Sequence, residues 1–94
     1  MNRWAAWKKR LGSSLDVPLN TILNIPRVTV IGTYQVYVEN HQGILEFSSQ
    51  RLRLRTVAGQ LQITGQGLMI RQINHEEIFV EGERIASLTF TEQA

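Results

Sequence analysis

The chain has 94 residues, no cysteine, two histidines, and 10 Lys and Arg against 8 Asp and Glu. This length suits one domain, and the absence of cysteine excludes disulfides, thiolate nucleophiles and Cys-ligated zinc. The net charge of +2 is unevenly spread, because residues 1–12 contain four of the 10 positive charges and none of the 8 negative ones. Residues 13–94 therefore hold six positive and eight negative charges. A basic head, defined as residues 1–12, precedes a slightly acidic body.

The N-terminus predicts an amphipathic helix. Its Trp and Leu residues follow steps of three, four and four, which place them on one side of a helix, with cations on the other sides. Such a helix docks on an anionic membrane surface or an acidic partner. The alternative is that its Trp side packs on the protein's own β body and leaves the charges in water. The residues predicted to dock are Trp4, Trp7, Lys8, Lys9, Arg10 and Leu11.

A change of periodicity divides the chain into a head and linker, residues 1–26, and a β domain, residues 27–94. Pro26 marks the break, because a residue before proline avoids helical geometry. Beyond it, apolar residues recur with a period of two, and turn-forming residues separate the runs. We expect an all-β fold: an antiparallel meander of about eight short strands, folded as a sandwich or roll, with an N-terminal amphipathic helix. The predicted strands are 28–31, 34–39, 44–47, 52–55, 61–64, 68–71, 78–81 and 85–90.

Alternation of Leu and Arg in residues 51–55 predicts a basic strip on one side of a strand. We call Arg51, Arg53 and Arg55 the arginine strip. It could bind phosphate or an acidic partner, or it could be a solvated strand face that pairs with Glu46 or Glu81. The second interpretation is favoured, because the body is acidic overall.

Three segments share two alternating apolar residues followed by glycine, at Gly32, Gly65 and Gly82. Hairpin turns explain this pattern, since they require glycine at such positions. A β-solenoid with one coil per repeat is the alternative.

Residues for acid–base or metal chemistry are few. His41 and His75 lie in predicted turns, and their spacing with Glu76 matches no known metal-ligand motif. Glu76 and Glu77 are adjacent, so in a strand they point to opposite sides and cannot act as a carboxylate pair. We therefore expect no enzyme activity, no metal site and no cofactor.

The order and spacing of several segments resemble the YabP/YqfC family of sporulation proteins, and within it the YqfC branch. Residues 38–46 (VENHQGILE) and the 65–67 turn (GQG) carry most of the resemblance. It extends over nearly the whole chain, and the other matching segments are 15–18, 24–32, 59–68 and 76–82.

The resemblance implies a protein of an endospore-forming bacterium, made in the mother cell and linked to the spore envelope and coat. It also implies occurrence together with a membrane protein of the YqfD type, which would give the basic head a docking place. The expected location is the mother-cell cytoplasm, with peripheral contact at the outer forespore membrane. Self-association is a further expectation, since a small β domain has strand edges to cover. The alternative function is a small β module that binds a ligand or nucleic acid through the arginine strip, although no nucleic-acid partner is expected.

Overall fold

A computed structural model of the chain describes residues 23–92, which form eight β-strands. Each predicted strand overlaps one of them, so the all-β, antiparallel prediction is confirmed. The strands are β1 (Arg27–Ile31), β2 (Gln35–Glu39), β3 (Ile44–Phe47), β4 (Arg51–Thr56), β5 (Gly59–Gln66), β6 (Met69–Ile73), β7 (Glu77–Glu81) and β8 (Arg84–Thr91).

The strands form two four-stranded antiparallel sheets. The first sheet has the order β1-β2-β7-β6 and the second has the order β3-β4-β5-β8. Four pairs of consecutive strands form hairpins: β1–β2, β3–β4, β4–β5 and β6–β7. The other two pairings join distant strands, β2 with β7 and β5 with β8. The predicted simple meander is wrong at these two pairings. A lone two-stranded hairpin buries too little apolar surface to be stable, so the β1–β2 and β6–β7 hairpins join into one sheet.

The core lies between the two sheets, where alternating residues of the central strands meet. Val36, Val38, Ile78 and Val80 come from the first sheet, and each is fully buried. The second sheet contributes Leu52, Leu54, Leu61, Ile63 and Ile85, and Leu68 comes from the connection between β5 and β6. Period-two alternation places these side chains inward and their neighbours outward, as the sequence predicts.

Gly65 lies inside a strand, although the sequence predicts it in a turn. Strand β5 continues to Gln66, and Gly65 pairs with Ile85 of β8 next to a register shift. A Cβ atom at Gly65 would collide with the carbonyl oxygen of Arg84, so this glycine allows a close approach of two strands. Because all pairings among the described strands are antiparallel, the β-solenoid alternative is wrong and the shared glycines have separate roles.

The predicted N-terminal helix lies outside the described residues and stays a prediction. Strand β1 begins at Arg27, directly after the predicted linker. Within residues 23–92, no helix has the length and apolar character needed to span a membrane.

Candidate docking surface

Two strands of the first sheet each contain three consecutive buried residues, which departs from the alternation seen elsewhere. Tyr37 lies between Val36 and Val38 in β2, and Phe79 lies between Ile78 and Val80 in β7. The flanking aliphatic side chains point into the core, so the two aromatic side chains point to the outer side of the sheet. Even so, Tyr37 is only 1% exposed and Phe79 only 2%. The first sheet is therefore covered on both sides at its centre.

We call the outer side of the first sheet the aromatic face. Strand register sets Tyr37 directly beside Phe79, with Thr29 of β1 and Gln72 of β6 completing the middle row. One end row pairs Arg27 with Glu39 and Glu39 with Glu77, and the other pairs Gln35 with Glu81. The aromatic face is thus an apolar centre between two charged ends.

Ion pairs and hydrogen bonds organise both ends of the aromatic face. The Arg27 Nε atom lies 3.4 Å from a Glu39 carboxylate oxygen. At the other end, Glu81 accepts hydrogen bonds from Arg71 Nε at 2.5 Å and from Gln35 Nε2 at 2.8 Å. Three carboxylates face two arginines here, so the aromatic face carries a net charge of −1 from these five groups.

Tyr37 is the buried titratable group of this surface. Its hydroxyl donates a hydrogen bond to the Glu77 carboxylate. Burial raises the pKa of the Tyr37 phenol far above its ordinary value, and the hydrogen bond to Glu77 and the nearby Glu39 charge act in the same direction. Tyr37 is therefore a neutral donor that fixes the Glu77 carboxylate.

The arginine strip lies on the outer side of the second sheet, as predicted. Leu52 and Leu54 point into the core, and Arg51 and Arg55 are exposed. Glu46 of β3 pairs with both neighbouring arginines, at 3.8 Å from Arg51 and 3.4 Å from Arg53. The predicted pairing with Glu46 is confirmed, whereas Glu81 lies in the first sheet and binds Arg71 instead. Two of the three cations of the strip are thus already engaged.

His41 and His75 have different environments, although both line one small cleft with Glu76. The buried His41 ring accepts a hydrogen bond from the Gly43 N–H at Nδ1, so its Nε2–H donates to the Asn74 carbonyl, at 3.0 and 2.9 Å. His75 is 89% exposed at its side chain and lies 3.6 Å from Glu76. His41 is therefore a structural link between the β2–β3 and β6–β7 connections. Residues 23–92 contain no group of three His, Asp or Glu side chains able to hold a metal ion.

The predicted docking residues Trp4, Trp7, Lys8, Lys9, Arg10 and Leu11 lie outside the described residues. The aromatic face is the surface that the sequence interpretation missed. Its signal was present in Val36-Tyr37-Val38 and Ile78-Phe79-Val80, because three apolar residues in a row indicate a strand covered on both sides.

Comparison with known sequences gives the family of the chain. Residues 24–94 match the sequence model of the YabP family. This chain belongs to the YabP family. It is also 40% identical over 81 residues to the Bacillus subtilis (strain 168) protein named "Uncharacterized protein YqfC", across 86% of this chain and 84% of that relative. The predicted resemblance to the YqfC branch of the YabP family is confirmed.

Proposed function

We propose that this YabP family member is a non-catalytic sporulation protein that supports assembly of the spore envelope or coat from the mother cell. It binds a membrane protein of the YqfD type, or the membrane surface, through the basic head. Family membership supports the role in sporulation, and the concentration of four cations and two tryptophans in residues 1–12 supports docking through the head.

The pairing of the arginine strip is the observation that carries this proposal. Arg51 and Arg53 share the Glu46 carboxylate, so the strip offers less positive charge to a phosphate backbone than its sequence suggests. The basic head contains no acidic residue that could neutralise its cations locally. An anionic surface or acidic partner is therefore attracted more strongly to the head than to the β domain.

The hydrogen bonds of His41 also support a non-catalytic role. Both of its ring nitrogens form hydrogen bonds that hold two connections together. A histidine used in this way has no free nitrogen with which to exchange a proton or bind a metal.

Co-purification from sporulating cells tests the proposal. A tagged full-length chain should recover the YqfD-type membrane protein, and Trp4→Ala with Trp7→Ala should abolish the recovery. With vesicles containing anionic lipid, replacing Lys8, Lys9 and Arg10 by Ala should lower the partition coefficient about 100-fold, since each cation contributes about 1 kcal/mol near such a surface.

The chain offers a matched control that also removes three cations. Replacing Arg51, Arg53 and Arg55 by Ala should leave both kinds of binding intact. If this variant loses binding while the head variants retain it, the proposal is wrong and the β domain is the binding module. Binding to nucleic acid that falls steeply with salt and depends on the arginine strip would lead to the same conclusion.

A further inference from the structure

The burial of Tyr37 and Phe79 requires a layer that the eight strands do not supply. Each described strand belongs either to the first sheet itself or to the second sheet, which packs on the opposite side. The described loops connect strand ends. We propose that the N-terminal residues 1–22 cover the aromatic face in the free protein, with Trp4 and Trp7 packed over Tyr37 and Phe79.

The path of the chain brings this segment to the correct surface. The Asn40 Nδ2 group donates a hydrogen bond to the Ile25 carbonyl at 2.9 Å, which holds the linker beside the end of β2. Strand β1 then begins with Arg27 in the end row that contains Glu39 and Glu77. The described chain therefore approaches β1 beside the acidic end row of the aromatic face. The two residues after Glu92 follow β8, which lies in the second sheet.

The length of the segment matches the size of the face. Four strands span about 14 Å across a sheet, and five residues span about 17 Å along it. The spacing of Trp4, Trp7 and Leu11 predicts a helix that Gly12-Ser13-Ser14 weakens, and residues 3–11 in helical form are about 14 Å long. The residues between Leu15 and Arg27 then suffice to return the chain to β1.

The apolar side chains of the N-terminal segment also suit the apolar centre of the aromatic face. The predicted helix has one apolar side, formed by Trp4, Trp7, Leu11 and Leu15, and an isolated helix of this length is marginally stable without a surface to cover that side. The aromatic face offers an apolar centre of two aromatic rings, which pack favourably with tryptophan.

The charges of the basic head and of the aromatic face are also complementary. Glu39 and Glu77 lie directly opposite each other on adjacent strands, an arrangement that is unfavourable unless cations are near. Arg27 supplies one cation, and the Glu39 side chain is only 21% exposed. The four cations of the basic head are opposite in sign to this acidic end of the aromatic face.

This inference goes beyond the proposed function, because it concerns the protein without lipid or partner. The same segment would then have two competing surfaces, the aromatic face of its own sheet and an external partner. Docking to a partner would require release from the aromatic face, which makes the contact autoinhibitory.

Fluorescence of the full-length protein tests the inference directly, since Trp4 and Trp7 are the two tryptophans of the chain and it contains no cysteine. A nitroxide is attached at Gln72→Cys on the aromatic face, or at Gln62→Cys on the outer side of the second sheet as the matched control. We expect the Gln72→Cys label to quench most of the tryptophan emission and the Gln62→Cys label to leave most of it.

Three results would overturn the inference. The first is equal quenching by the two labels, and the second is quenching that falls on dilution, which would make a second copy the occupant. The third uses the unlabelled protein: tryptophan emission in native buffer that is not blue-shifted from that of the urea-unfolded chain. These readouts need no lipid or partner, so failure of the inference and failure of the proposed function are distinguishable.

Discussion

The outer sides of the two sheets have the same position in the fold and opposite character. On the second sheet, Arg51 and Arg55 extend into water and Glu46 pairs with the strip. On the first sheet, Tyr37 and Phe79 are buried although they point away from the core. An antiparallel sheet normally leaves its outer side solvated. The first sheet is therefore covered on both sides at its centre, whereas the second sheet has an exposed outer side.

The largest expected effect comes from removing the aromatic centre of the first sheet. Phe79→Ala should lower the free energy of unfolding by about 3 kcal/mol, because it leaves a cavity between packed layers. The matched position in the second sheet is Gln62, and Gln62→Ala should change stability by less than about 0.5 kcal/mol. Urea unfolding measures both. Equal and small effects would show that the two outer sides do not differ energetically.

Alkaline pH should reveal the burial of Tyr37. The pKa of its phenol is raised in the folded protein above the ordinary value of 10.0, so the native state keeps a proton that the unfolded chain loses. Below about pH 10 the protonated phenol makes its full contribution to the free energy of unfolding. Above that pH the free energy of unfolding falls by up to about 1.4 kcal/mol per pH unit.

The measurement is urea unfolding as pH rises above 10, for the wild type and for Tyr37→Phe. In the Tyr37→Phe variant the free energy of unfolding should fall less steeply with pH, because the buried phenol is absent. Tyr34→Phe is the control, because Tyr34 is 63% exposed and lies outside the buried layer. If the free energy of unfolding fell as steeply with pH in Tyr37→Phe as in the wild type, titration of the Tyr37 phenol would not be the cause.

The smallest effect is expected on the arginine strip. Glu46→Gln removes the carboxylate shared by Arg51 and Arg53, yet the side chains of both ion pairs are at least one-third exposed to solvent. We expect a loss of about 0.5 kcal/mol that diminishes at high salt. Glu92→Gln, at an exposed residue after β8, serves as the control in urea unfolding. If Glu46→Gln lowered the free energy of unfolding as much as Phe79→Ala does, the two outer sides would contribute equally to stability, contrary to this prediction.

Local patterns in the sequence were sufficient for the strands and for most of their faces. Alternation in residues 51–55 predicted the inward leucines and the outward arginine strip, and the structure confirms both. The pairing of β2 with β7 could not be predicted in this way, because it joins residues about 40 positions apart and no local pattern encodes the partner. The buried role of His41 was missed for the same reason, since Asn74 comes from a distant connection.

The sequence by itself determined eight short strands, the turns between them and the separation of a basic head from an acidic body. These properties depend on side-chain periodicity and composition, which are local. Only the tertiary structure decided that Glu46 rather than Glu81 pairs with the arginine strip, that Gly65 lies within a strand, and that Tyr37 meets Phe79 on a buried outer side. Those outcomes depend on which strands become neighbours, and the burial gained when hairpins combine into sheets makes that choice.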